Sequence, residues 1–220
     1  MLLASLMTAA LAACPSNLAN GLRPAPAGSQ LITVEAADAR TSYATLRTWR
    51  RFGRCWRPVG GPYPARVGRS GLRRNRHEGD GTTPIGTFRI GAVMYGSLPN
   101  PGVKFHYRRL RCGDYWVEDP ASPAYNTFQH VPCGSRPPFR VRGPGMWQSP
   151  RAYPYLAVVE FNIDPVIPGR GSGIFLHAET GSATSGCISL RRADLVRVLR
   201  WLSPHSAPRI TIGTRAQLRS

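Results

Sequence analysis

Between residues 30 and 215 a single stretch of this chain carries a clear helical repeat. In RADLVRVLRWL, residues 192–202, Leu195, Val198, Leu199 and Leu202 fall on one face while Arg197 and Arg200 fall on the other. Ser203-Pro204 stops that helix. Elsewhere the apolar residues alternate with polar ones or cluster in short β-branched runs, and 23 glycines and 21 prolines supply the turns. The run ATLRTWR, residues 44–50, alternates as a half-buried strand does. Further strands are expected in QLITV (30–34), TWRRFGRCWRPV (48–59), residues 87–93, 115–117, LAVVEF (156–161), IFLH (174–177) and RITI (209–212). The expected fold is therefore mostly β, one domain over residues 30–215 with one helix late in the chain. No internal repeat or heptad is visible.

The N-terminus bears on the compartment. MLLASLMTAALAAC is an apolar run ending at Cys14 and too short to span a bilayer. It reads as an export signal over residues 1–14, and Leu11-Ala12-Ala13-Cys14 is similar to a lipoprotein signal in which Cys14 is lipidated; a plain cleaved signal is the alternative. Residues 15–29, PSNLANGLRPAPAGS, lack periodicity and are expected to be a flexible linker. Export also sorts the cysteines. Cys112 and Cys133 flank a loop-rich stretch and are expected to form a disulfide. Cys55 is expected to be a small buried residue, with pairing to Cys112 or Cys133 left open.

The net charge of +18, nearly all arginine with Lys104 the only lysine, calls for anionic surroundings. An exported chain finds them in a cell wall or membrane surface. Nucleic acid is not expected as a partner, since the arginines are scattered and no nucleic-acid-binding signature occurs. No HExxH or paired CxxC ligand set is present, so neither metal nor cofactor is expected.

That leaves Cys187, in FLHAETGSATSGCISL. A cysteine nucleophile needs a base and amide donors for the oxyanion it creates. Thr184-Ser185-Gly186-Cys187 offers both small residues and bare amides: Gly186 lets the chain turn, and the amides of Cys187 and of Gly186 or Ser185 are candidate oxyanion donors. The helix that follows has a dipole that would help hold a thiolate where the geometry brings the two close; a depressed thiol pKa would support catalysis and an inert buried thiol a binder. His177, at the end of the apolar run Ile174-Phe175-Leu176, is the candidate base; a hydrogen-bonded structural role is the alternative.

This stretch resembles the active-site motif of YkuD-type L,D-transpeptidases, in which a strand-borne His precedes [S/T]-x-G-C. EGDGTTPIGTF, residues 78–88, and WVEDPASPAYN, residues 116–126, are similar to two further runs of one branch of that family, in the same order. The sequence departs from better-known members at Ser185, where they carry a second His, and at Ser189, where they carry Arg or Asn. The resemblance implies a single β-sandwich or barrel-like domain and an acyl transfer on peptidoglycan stem peptides. Cys187 would form a thioester, His177 would move the proton, Gly186 would donate to the oxyanion, and Ser185 would support. An amine would then give a 3→3 cross-link, or water an L,D-carboxypeptidase product. Trp116, Tyr125, Asn126 and Thr184 are the expected substrate contacts, and carbapenem-type β-lactams the expected inhibitors. Two other readings stand beside it: an inactive peptidoglycan-binding envelope protein and a secreted cysteine amidase.

Overall fold

The computed structural model describes residues 13–219; most of the signal expected at 1–14 lies outside them. Thirteen strands occur among these residues: β1 Gln30–Ala36, β2 Tyr43–Phe52, β3 Cys55–Arg66, β4 Leu72–Arg73, β5 Thr83–Pro84, β6 Gly86–Gly96, β7 His106–Arg109, β8 Asp114–Trp116, β9 Phe128–His130, β10 Leu156–Val159, β11 Phe175–Ala178, β12 Ile188–Leu190 and β13 Arg209–Thr214. Helices α1 Arg192–Trp201 and α2 Arg215–Arg219 complete the set apart from three short 3-10 turns. The fold is mostly β, as the alternating runs predict.

Nine strands form one mixed sheet in the order β10-β11-β12-β3-β2-β1-β13-β6-β7, and β10 also pairs with β6. That extra pairing closes the circuit, so the sheet wraps around its own core in a barrel-like way. Alternation assigns the two faces. Leu176, Ile188, Leu190, Ala157 and Val159 point inward with Ile32, Val34, Ile210 and Ile212, and Leu195, Val198, Leu199 and Leu202 of the α1 segment cover the same core. The out-of-phase residues Leu156, Val158 and Phe175 form a second cluster outside the sheet, and Cys187 packs against it.

The N-terminal segment departs from expectation. Residues 15–29 are not a loose linker: Leu18, Ala19 and Leu22 are buried against Trp49, Trp56 and Leu218. Asn20 clasps the main chain of Trp56, donating to its carbonyl at 3.1 Å and accepting its amide at 2.7 Å. Beside this clasp Cys14 forms a disulfide with Cys55, with Cα atoms 5.3 Å apart. The expectations of a lipidated Cys14, and of Cys55 as a buried small residue or a partner of Cys112 or Cys133, are thereby corrected, since a sulfur held in a disulfide cannot carry a thioether-linked lipid. Cys112 and Cys133 pair as expected. Two disulfides fit an oxidising compartment. No helix among the described residues is long and apolar enough to cross a membrane.

The second half of β3 also escaped the sequence reading, because Pro62 and Pro64 argue against a strand. Only Ala65 and Arg66 of β3 pair with β12, so residues 55–64 present an open edge where a proline costs no ladder hydrogen bond on that side.

Candidate active site

Strands β11 and β12 run parallel, with Leu176 opposite Ile188 and His177 opposite Ser189. Leu176 and Ile188 face the core, so by alternation His177, Ser189 and the preceding Cys187 share the outer face. The loop between the strands is fastened before it reaches Cys187. The Thr184 amide donates to Val67 O at 3.0 Å and the Arg69 amide to Thr184 O at 2.8 Å. The Thr184 hydroxyl then donates to Cys187 O at 2.6 Å and accepts the Gly186 amide at 3.1 Å. Gly186 sits at φ +142°, where a side chain would run into Thr82 O, and its glycine is required.

Cys187 is the one free cysteine among the described residues, and the residue, half-buried, lines a cleft. The thiol donates to Gly173 O at 3.2 Å and accepts the Phe175 amide at 3.4 Å. His177 is 7% exposed, and its Nδ1 lies 2.8 Å from the Ala178 carbonyl. A carbonyl only accepts, so Nδ1 carries the proton and the neutral ring keeps Nε2 as its basic nitrogen. No hydrogen bond joins the ring to the thiol. Both residues nevertheless line one cleft of about 490 Å³, together with Arg69, Arg76, Glu118 and Tyr153.

The electrostatics keep this pair uncharged. Burial pushes the Cys187 thiol up to about 12; the Phe175 amide works against this, the Glu118 charge adds to it, and Arg76 opposes it. Burial also lowers His177 to about 4, although the carbonyls of Ala178 and, more weakly, Ala152 favour the imidazolium. A depressed thiol pKa, the sign that would support catalysis, is therefore not what the fold provides. The helix dipole expected to help does not reach the sulfur, because strand β12 separates Cys187 from α1.

Other expected site residues receive different work. The Gly186 amide, expected to serve the oxyanion, is already taken by Thr184. Ser185 is at the cleft mouth, where its hydroxyl accepts from Arg69 Nη1 at 2.9 Å. Thr184 lines the cleft while organising the loop. Trp116 lines an adjoining cavity and packs edge-on against Phe175 with ring centres 5.1 Å apart. Tyr125 and Asn126 line neither space. Both are buried: the Tyr125 hydroxyl donates to Glu78, and the Asn126 amide is fully spent on Trp116, Gly173, Phe161 and Asn162. Both brace the site, and no polar atom of the Asn126 side chain is left over.

The EGDG run both turns and lines the cleft. Asp80 accepts the Thr82 amide and hydroxyl at 2.9 and 2.7 Å and the His77 amide at 3.1 Å. Burial alone would raise this carboxyl, but those bonds and the Arg76 charge hold it below its usual range. The loop so knitted delivers Glu78 and Arg76 to the cleft.

Three cleft residues were missed: Arg76, Glu118 and Tyr153. Arg76 is 5% exposed, and its Nε and Nη1 have no hydrogen-bond partner; Asp80 Oδ1 lies 3.6 Å from Nε. Tyr153 stands edge-on to His177 with ring centres 5.4 Å apart, and burial, with the charges of Cys187 and Glu118, raises its hydroxyl. Glu118 is pushed up to about 7 by burial and then by the Glu78 charge, with Arg142 and Arg76 opposing. Only Glu118 lay within a run noticed in the sequence, the WVEDPASPAYN segment, where it sits between a short expected strand and Asp119-Pro120. A carboxyl that keeps its proton to higher pH when folded makes folding less favourable as pH rises from its ordinary 4.5 to about 7. Glu118→Gln should therefore melt higher than the parent at pH 8 and show little difference at pH 4, measured by thermal unfolding; an equal shift at both pH values would count against a raised Glu118.

A family model described as the L,D-transpeptidase catalytic domain, YkuD, matches residues 30–215. No curated protein sequence matches the chain. Among solved structures, the helical cell shape determining protein Pgp2 from Campylobacter jejuni aligns at 13% identity with a TM-score of 0.40, over 85% of this chain and 48% of that one. The chain thus spans about half the length of that protein. With the match running from β1 through β13, the chain belongs to the YkuD family of L,D-transpeptidase catalytic domains.

Proposed function

We propose that the chain is an exported, cysteine-dependent L,D-transpeptidase that acts on peptidoglycan stem peptides through a Cys187 thioester. The observation that carries this is the placement of the free cysteine and a buried, carbonyl-oriented histidine on one face of a parallel strand pair, at the floor of one cleft. In the resting state the thiol is bonded to Gly173 and Phe175. A turn about its Cα–Cβ bond releases it toward His177. His177 then accepts the thiol proton as the sulfur attacks the peptide carbonyl, and passes it to the leaving amine of the terminal residue. Proton transfer during attack needs no preformed thiolate, so a neutral pair can serve. With Gly186 engaged by Thr184, the Cys187 and Ser185 amides are left to serve the oxyanion. The net charge of +18 supports retention on an anionic wall, weakening as salt is raised.

A second reading has one observation in its favour: a thiol held near 12 and an imidazole near 4 are also what a silent pair looks like. It would make the protein a peptidoglycan binder without turnover. Intact-mass spectrometry of the wild type after exposure to a carbapenem separates the two. The enzyme gains one adduct, mapped to the peptide that contains Cys187; no adduct after prolonged exposure supports the binder.

A further inference from the structure

Between β11 and the loop at 139–144 lies a second cavity of about 110 Å³ that shares Glu118, Arg142, Gly143, Pro144 and Tyr153 with the cleft of Cys187. Trp116, Phe139, Val141, Met146 and Phe175 give it apolar walls. Its roof is fixed, because the Asp119 carboxylate accepts the Arg140 amide at 3.0 Å. Glu118 sits in the wall common to both spaces. Its Oε1 is 3.2 Å from the point where a side chain on Gly173 would begin, and Gly173 is the residue whose carbonyl holds the thiol. Among the described residues no hydrogen bond reaches the Glu118 carboxyl, whereas its neighbour Glu78 accepts from Tyr125 and, at 2.7 Å, from Ser172.

A carboxyl in this position does nothing for the first half of the reaction. Its charge disfavours the Cys187 thiolate and would oppose the negative tetrahedral intermediate. Its chemistry suits the second half, when the thioester is uncharged and the incoming group is a cation. An aliphatic amine in water is an ammonium ion that must lose a proton before it can attack. The apolar walls accommodate a methylene stem, and Trp116, Tyr153 and Phe175 present aromatic rings around the place where the cation would sit.

We propose that Glu118 binds the ammonium group of an aliphatic amine acceptor at the junction of the two cavities and removes its proton, so that the acyl group is passed to an amine in preference to water. This rests on the thioester reading above and names its acceptor. The step balances as follows. The ammonium gives one proton to the Glu118 carboxylate, and the free amine attacks the thioester carbonyl to form the C–N bond. The C–S bond breaks, the departing sulfur takes the second nitrogen proton through His177, and Glu118 returns its proton to solvent. Glu78, Arg76 and Arg142 are the charged groups that set the Glu118 titration, with Cys187 and Tyr153 facing it from the other side.

The test compares wild type with Glu118→Gln, using a donor peptide and a lysine-bearing tripeptide as acceptor, with transfer and hydrolysis products counted by mass spectrometry. Cys187 acylation by a carbapenem is followed separately. Acylation should be as fast in the variant or somewhat faster, while the ratio of transfer to hydrolysis falls about 10²-fold, the size of a lost general base. In both proteins that ratio rises with pH as more of the acceptor is free amine, and the wild type should show an additional rise through pH 7 that the variant lacks. Hydroxylamine, uncharged at neutral pH, should serve both proteins nearly alike. Normal acylation with an unchanged transfer ratio overturns the Glu118 inference and leaves the thioester reading standing. Equal losses with both acceptors also overturn it, because a structural defect would not discriminate by charge. A wild type that is never acylated removes both.

Discussion

Cys187→Ala is expected to abolish the covalent carbapenem adduct, and His177→Gln to slow its formation about 10²–10⁴-fold without unfolding the protein. Glutamine preserves a donor toward the Ala178 carbonyl that His177 now faces at 2.8 Å, so the buried pocket keeps that contact while losing the base. The pH dependence is the sharper part. A free cysteine ionises near 8.5, and an enzyme working through its resting thiolate would speed up through about that pH. Here burial holds the thiol at about 12 and His177 at about 4. The basic, neutral form of His177 is therefore already present by pH 5, and the thiol stays protonated well beyond pH 9. The acylation rate should be nearly level from pH 5 to 9, falling only as pH drops toward 4 and the imidazole takes up its proton. Glu118, ionising near 7, adds a shallow decline above that pH through its charge beside the sulfur. A rate that climbs steadily through pH 8.5 would show a thiol ionising on its own, and the burial account of the pair would fail. Full adduct formation by Cys187→Ala would sink the assignment of the nucleophile outright.

The sequence was most legible where one face of an element is buried in a regular period. Alternation located β2 and the short apolar runs located β1 and β13, and the four leucine and valine positions of the α1 segment all reach the core. It was silent where packing depends on partners distant in the chain. Cys14 meets Cys55 across 41 positions only because Asn20 and Leu18 dock on Trp56, and three apolar residues without a period look like linker. The site itself was half legible. Residue types marked Cys187 and His177, and β11–β12 register puts them on one face. The small residues around Cys187 read as an accessible setting, yet Cys187 packs against the cluster of Phe175, Leu156 and Val158, and burial raises its thiol. Glu118 was hidden for the same reason: within WVEDPASPAYN it is one carboxylate before Asp119-Pro120, and only the approach of Gly173 makes it a group beside the nucleophile.

Asn126→Ala is expected to be the most damaging single change away from the nucleophile. Its side chain is 1% exposed and makes four hydrogen bonds: Nδ2 donates to Phe161 O at 3.0 Å and Asn162 O at 2.7 Å, while Oδ1 accepts Trp116 Nε1 at 2.8 Å and the Gly173 amide at 3.0 Å. Each buried group left without a partner costs about 1–3 kcal/mol, so losing several together should lower stability by roughly 3–5 kcal/mol after the neighbours relax. Asn126 also holds φ +59°, a conformation that asparagine tolerates and alanine resists. The consequence reaches the chemistry through Gly173, whose amide is tied to Asn126 and whose carbonyl holds the thiol. Whatever fraction of the variant still folds should therefore be acylated abnormally. Thermal unfolding reads the first effect and the acylation rate of the folded fraction reads the second. Asn126→Gly removes the backbone conflict and keeps the loss of hydrogen bonds, so it should recover only part of the stability and none of the positioning. If Asn126→Gly restored both, the left-handed backbone would be the whole of the residue's contribution. A stable Asn126→Ala whose only defect is a raised KM for donor peptide would instead return the residue to the substrate-contact role that its motif first suggested.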